Sequence, residues 1–111
     1  MIIISGGGNV VTTAQANSAS FIVRTDSIGT LAVALAALVV PDGRELSLQN
    51  AASNQFGAEV YISYSSAAVL VPATRVTLRR TDSTQMKVTN ANVIFALANL
   101  ATVALQVMSE T

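Results

Sequence analysis

The chain has 111 residues and contains no cysteine, histidine or tryptophan. It is one domain in length and lacks disulfides, thiolate metal ligands and the side chain that most often serves as general base. Its six basic and six acidic residues cancel, and charged residues make up 11% of the chain against 51% hydrophobic. That balance offers no long-range field to gather nucleic acid and leaves apolar surface that a solitary small domain hides poorly, so the expectation is a subunit partly covered by neighbours.

The chain opens MIIISGGGNVV. No basic residue precedes the apolar run, which argues against a secretory signal. A dinucleotide fingerprint requires G-x-G-x-x-G at the start of a helix, and a phosphate loop requires a lysine after its last glycine. Here Gly6, Gly7 and Gly8 lead into Asn-Val-Val-Thr-Thr, and β-branched residues start helices poorly. The glycines therefore read as a hinge or bulge. Residues 1–20 read as an extended N-terminal arm in which, after the opening run, only Val10 and Val11 can anchor a core.

Residues 21–111 read as one β-sandwich domain. Phe21 to Arg24 is a short strand and Thr25 to Gly29 a turn. LAVALAALVV, Leu31 to Val40, alternates as a strand while its alanines also suit a helix; Pro41-Asp42-Gly43 after it favours the strand. The run is about half the length of a membrane helix, so the expected protein is soluble. In RELSLQN, Leu46 and Leu48 share a face. AASNQFG is a loop. AEVYISYS sets Val60, Ile62 and Tyr64 against Glu59, Tyr61 and Ser63. Ala67 to Val71 is a short apolar step closed by Pro72. RVTLRR turns Val76 and Leu78 inward, and Thr81 to Thr84 makes a turn. QMKVT pairs Met86 with Val88, and NANVIFALA follows. TVALQVMSE alternates Val103, Leu105 and Val107 with Ala104, Gln106 and Met108. Short strands about ten residues apart predict an all-β fold, a small antiparallel β-sandwich or jelly-roll-like barrel. An amphipathic helix over FALANLATVALQV is the competing reading of the C-terminal end.

The chemical inventory is thin. Asp42 and Glu45 are close in sequence but nothing sets them across a groove as a glycosidase pair, and PDGRE falls short of a calcium loop. No serine has a lysine at the spacing a Ser-Lys nucleophile needs. No catalytic, cofactor-binding or metal residue is therefore nominated, and no enzyme activity or small-molecule substrate is expected. Arg75, Arg79 and Arg80 are three of the six basic residues. On a strand Arg75 and Arg79 share a face about 13 Å apart while Arg80 takes the other. They serve either as solvated edge protection or as a partner contact, and Tyr61 on a neighbouring strand is a further candidate anchor. The candidate interface residues are thus Arg75, Arg79, Arg80, Tyr61, Val10 and Val11. The partner expected there is protein, since base stacking on nucleic acid would want exposed aromatics beside the arginines.

From about residue 44 the strands run RELSLQNAAS, AEVYIS, a short tip SSAAVLV, PATRVTLRR, QMKVTNANVIFAL and ATVALQVMSE. This succession resembles small β-sandwich capsid decoration (cement) proteins of tailed bacteriophages. The resemblance implies a virion structural protein on the capsid surface, a homotrimer that uses an N-terminal arm and binds the major capsid protein across coat-subunit seams. It implies no cofactor, membrane or nucleic-acid partner. The alternative is a small carbohydrate- or protein-binding module of a tail fibre or adhesin, using Tyr61 and Tyr64 as a platform.

Overall fold

The computed structural model describes residues 21–110. The arm expected over residues 1–20, with its three glycines and with Val10 and Val11, lies outside the described residues. Eight strands follow in order: β1 (Phe21–Ile28), β2 (Val33–Ala34), β3 (Leu46–Asn50), β4 (Glu59–Ser63), β5 (Val76–Arg79), β6 (Ser83–Met86), β7 (Phe95–Ala98) and β8 (Val103–Glu110). One sheet runs β1-β8-β3-β6 and the other β2-β7-β4-β5. β1 pairs with β8, β2 with β7, β3 with β6 and β4 with β5, all antiparallel. The chain is therefore one long hairpin that reverses at residues 64–75. The β3–β8 and β4–β7 pairings roll this hairpin into two facing sheets. This is the jelly-roll order of an antiparallel sandwich, the fold class that strand spacing and alternation predicted.

Alternation builds the core. Leu46 and Leu48 of β3, Val60 and Ile62 of β4, Leu78 of β5 and Val103, Leu105 and Val107 of β8 are buried between the sheets, while the intervening residues face out, as a period of two requires. β8 follows that pattern along its whole length. No helix forms over FALANLATVALQV: its apolar residues divide between β7 and β8, which lie in opposite sheets.

Several local expectations are corrected. The turn expected from Thr25 belongs to β1, which continues to Ile28 because β8 pairs with it residue for residue. Residues 31–40 are neither a long strand nor a helix. Only Val33–Ala34 pairs, and Val39 makes an isolated bridge to Asn90. Scattered backbone bonds, from Leu35 N–H to Ile94 O, Val40 N–H to Thr89 O and Ala91 N–H to Leu38 O, take the place of a ladder there, and side chains add to them. The Arg24 guanidinium donates to the carbonyls of Ala36 and Ala37, and the Asn90 side-chain oxygen accepts from Leu38 N–H. Leu35 and Val40 still reach the core. β6 begins at Ser83, inside the expected turn, and stops at Met86. NANVIFALA divides into a 3₁₀ turn at Ala91–Val93, capped by the Asn90 side chain, and β7. Val76 lies at the open end of β5 and is 43% exposed, unlike buried Leu78.

At one end of the sandwich the loop after β3 closes on two asparagines. Asn50, fully buried, donates through Nδ2 to the carbonyls of Ala58 and Leu78 at 3.0 and 2.9 Å. Its side-chain oxygen accepts from Asn54, whose own amide exchanges bonds with the backbone of Ala104. The Asn50 backbone also brackets the β5–β6 turn by bonding Thr81 and Asp82. Thr81 sits there at φ 75°, a left-handed conformation that costs a β-branched residue.

Candidate interaction surface

At the opposite end, residues 64–75 fold back over the outer face of the second sheet. Two 3₁₀ turns, Ala68–Leu70 and Pro72–Thr74, shape this segment. The first packs on β4 and β7. Val69 and Leu97 are buried, yet both stand outside the main core cluster. Leu97 alternates with the inward Ala96 and Ala98, so it faces the outside of its sheet and the 64–75 segment roofs it. Bonds lock that roof. Ser63 Oγ donates to Thr74 O at 2.8 Å, Thr74 Oγ1 donates to Ala68 O at 2.7 Å, and Ala68 N–H donates to Ser65 Oγ at 3.0 Å.

The expected site residues divide into two groups. Tyr61, Arg75 and Arg79 come together on the outer face of the second sheet. The Arg75 guanidinium carbon lies 3.6 Å from the Tyr61 ring centroid, and its Nη1 donates to Val69 O at 3.2 Å. Arg75 thus staples the roof to the sheet. Its Nε is the one buried side-chain nitrogen or oxygen among the described residues without a hydrogen-bond partner. Tyr61 donates its hydroxyl to Glu59 at 2.7 Å, and Glu59 lies 3.6 Å from Arg79. The hydrogen bond to the Glu59 carboxylate raises the Tyr61 pKa above the ordinary 10.0; burial and the Glu59 charge act the same way, and Arg75 opposes them. Arg79 projects from the edge strand β5 with its side chain 77% exposed. Arg80 is elsewhere, at the asparagine end, where it bonds Ala52 O and stands 5.7 Å over Phe56.

Sequence reasoning missed the surface that the roof presents. Leu70 and Val71 lie at the junction of the 3₁₀ turns, with Tyr64 before them and Val76 after them. All four are exposed, Leu70 at 59% and Tyr64 at 58%. The strand register puts Val39 and Val93, also exposed, at this same end of the sandwich. A run such as SSAAVLV carries no periodic signal that separates the buried Val69 from its exposed neighbours; only the fold-back does so. Tyr61 lies under Arg75 while Tyr64 is open, so the two tyrosines form no common platform.

Beside this end, on the outer face of the first sheet, is an open groove of about 930 Å³. Met108, Ser47 and Gln85 form part of its lining, and Asp42, Glu45 and Lys87 bring charge of both signs. Arg44 in the β2–β3 connection bonds Glu110 across its rim. Gly43, at φ 77°, makes the turn that places Arg44 there.

Among the described residues no three acidic, histidine or cysteine side chains converge as a metal site, and no helix is long and apolar enough to cross a membrane. Comparison with known proteins finds no family model, no curated protein and no solved structure that matches the chain.

Proposed function

We propose that this chain is a virion structural protein, a capsid decoration subunit that acts by burying surface against copies of itself and the major capsid protein. The observation that carries the reading is the apolar end formed by Tyr64, Leu70, Val71 and Val76. Tyr64, Leu70 and Val71 are held outward on a cross-bonded loop, and Val76 follows at the start of β5. Covering the exposed part of Leu70 alone is worth about 1–2 kcal/mol. Exposed apolar groups gathered at one end of a neutral domain mark an interaction surface. The jelly roll recurs in viral coat domains, which supports the reading by analogy of fold.

Light scattering on the eluting protein at micromolar concentration tests this reading. The expected result is a homo-oligomer, three copies by the resemblance, whose mass Leu70→Asp lowers while the far-ultraviolet circular dichroism of the folded sheets is unchanged. A monomeric parent protein, or a Leu70→Asp protein that keeps the parent's mass, overturns it. Co-sedimentation with capsids of the encoding phage tests the second partner.

The groove beside Met108 favours a second reading, a carbohydrate- or protein-binding module of a tail fibre or adhesin. Jelly rolls also serve lectins, and the groove offers Ser47, Gln85 and Asp42 as hydrogen-bonding groups. Glycan-array binding lost on Gln85→Ala would establish it.

A further inference from the structure

We propose that β1 is a second, independent contact through which two copies of this chain join edge to edge, antiparallel, about a two-fold axis at Thr25. Their β1-β8-β3-β6 sheets would then form one continuous sheet of eight strands.

The edge itself invites pairing. β1 has eight residues, whereas β2 has two and β5 and β6 have four each, and these four strands are the edges of the two sheets. Edge strands are ordinarily blunted by proline, lysine, a bulge or inward-pointing charges; β1 carries such charges in Arg24 and Asp26, but they neutralise each other. β1 has neither proline nor lysine, and its register with β8 is unbroken from Phe21 to Ile28. Half of its backbone donors and acceptors point away from β8, and among the described residues no other hydrogen-bonding group meets them. Val23, Thr25 and Ser27 are exposed along its outer face.

Charge selects the partner and the register. The two charges of β1 neutralise each other, with Arg24 Nε 2.8 Å from Asp26 Oδ1. An antiparallel pair centred on Thr25 sets Arg24 of each copy opposite Asp26 of the other, a doubly complementary arrangement. The same register sets Ile22 opposite Ile28. Moving the axis by one residue centres it on Arg24 or Asp26 and puts like charges face to face. The edge is therefore complementary to a second copy of itself in one register only. Ala36 and Ala37, whose carbonyls meet Arg24 on its inner side, are small and exposed.

The chain has no cysteine, so single-cysteine variants report this geometry cleanly. In the predicted register position 25 meets itself, within disulfide reach, while position 27 lies about 13 Å from its counterpart and out of reach. Under mild oxidation in the Leu70→Asp background, Thr25→Cys is expected to form a disulfide-linked dimer at least about tenfold faster than Ser27→Cys. Equal rates, or a Thr25→Cys protein that stays monomeric, overturn the proposal. As a second readout, dilution should accelerate amide exchange in β1 and not in β3; unchanged β1 protection also overturns it. The Leu70→Asp background removes the apolar-end contact, so failure at β1 is distinguishable from failure of the decoration reading.

Discussion

Replacing Asn50 by alanine tests whether the closed end of the sandwich depends on this one amide. The side chain is fully buried and makes three hydrogen bonds, two donated to Ala58 O and Leu78 O and one accepted from Asn54. Alanine leaves two buried carbonyls without their donors and frees the Asn54 amide that holds Ala104. Each buried group left unsatisfied costs about 1–3 kcal/mol, and neighbouring losses are not additive, so the expected destabilisation is about 2–4 kcal/mol. Urea denaturation with an unchanged slope measures it. Asn50→Asp sharpens the test because a carboxylate cannot donate and would face two carbonyl oxygens. Burial raises such a carboxyl in the folded state above its unfolded pKa near 3.9. The folded state then binds more protons, so stability falls as pH rises through that window and is partly recovered on acidification. Gln49→Ala, which removes one exposed bond to Thr81 O, is the control, with a cost within about 0.5 kcal/mol. A loss under about 1 kcal/mol for Asn50→Ala, or an Asn50→Asp protein indifferent to pH from about 4 to 7, would refute the reasoning.

Two further outcomes are expected. Tyr61 ionises above 10.0 in the folded protein, so the folded state holds its proton where the unfolded chain has lost it. Stability therefore falls from about pH 10 upward through the raised value; absorbance titration in a Tyr64→Phe background reads the shift, and Glu59→Gln should lower the midpoint. Arg24→Ala removes the half-buried pair with Asp26 and both bonds to the 36–37 carbonyls. A loss of about 1–3 kcal/mol is expected, with faster amide exchange localised to residues 31–40; uniform exchange across the sandwich would contradict the clamp.

How much was legible in the residues varies by element. Val103, Leu105 and Val107 announce their strand because a period of two is a local property that needs no partner to be read. The same holds for Leu46 with Leu48 and for Val60 with Ile62. LAVALAALVV alternates as well as they do, yet only Val33–Ala34 forms a strand; the rest is held by scattered backbone bonds to residues 89–94 and by the Arg24 and Asn90 side chains, contacts that no local pattern announces. The shared face of Arg75 and Arg79 was readable from spacing; the stacking of Arg75 on Tyr61 was not, since it depends on the 64–75 segment folding back.

By itself the sequence determined an all-β chain of zero formal net charge, low in charged residues and without histidine or cysteine, because composition and two-residue alternation are properties of neighbours in the chain. Only the tertiary structure decided the jelly-roll order, the continuation of β1 to Ile28, the asparagine closure and the outward apolar end. Each of these is set by hydrogen bonds and packing between residues distant in sequence. The Asn50 amide shows the difference: in the chain it ends a strand before a polar loop, and in the fold it joins β3, β5 and the loop ahead of β4.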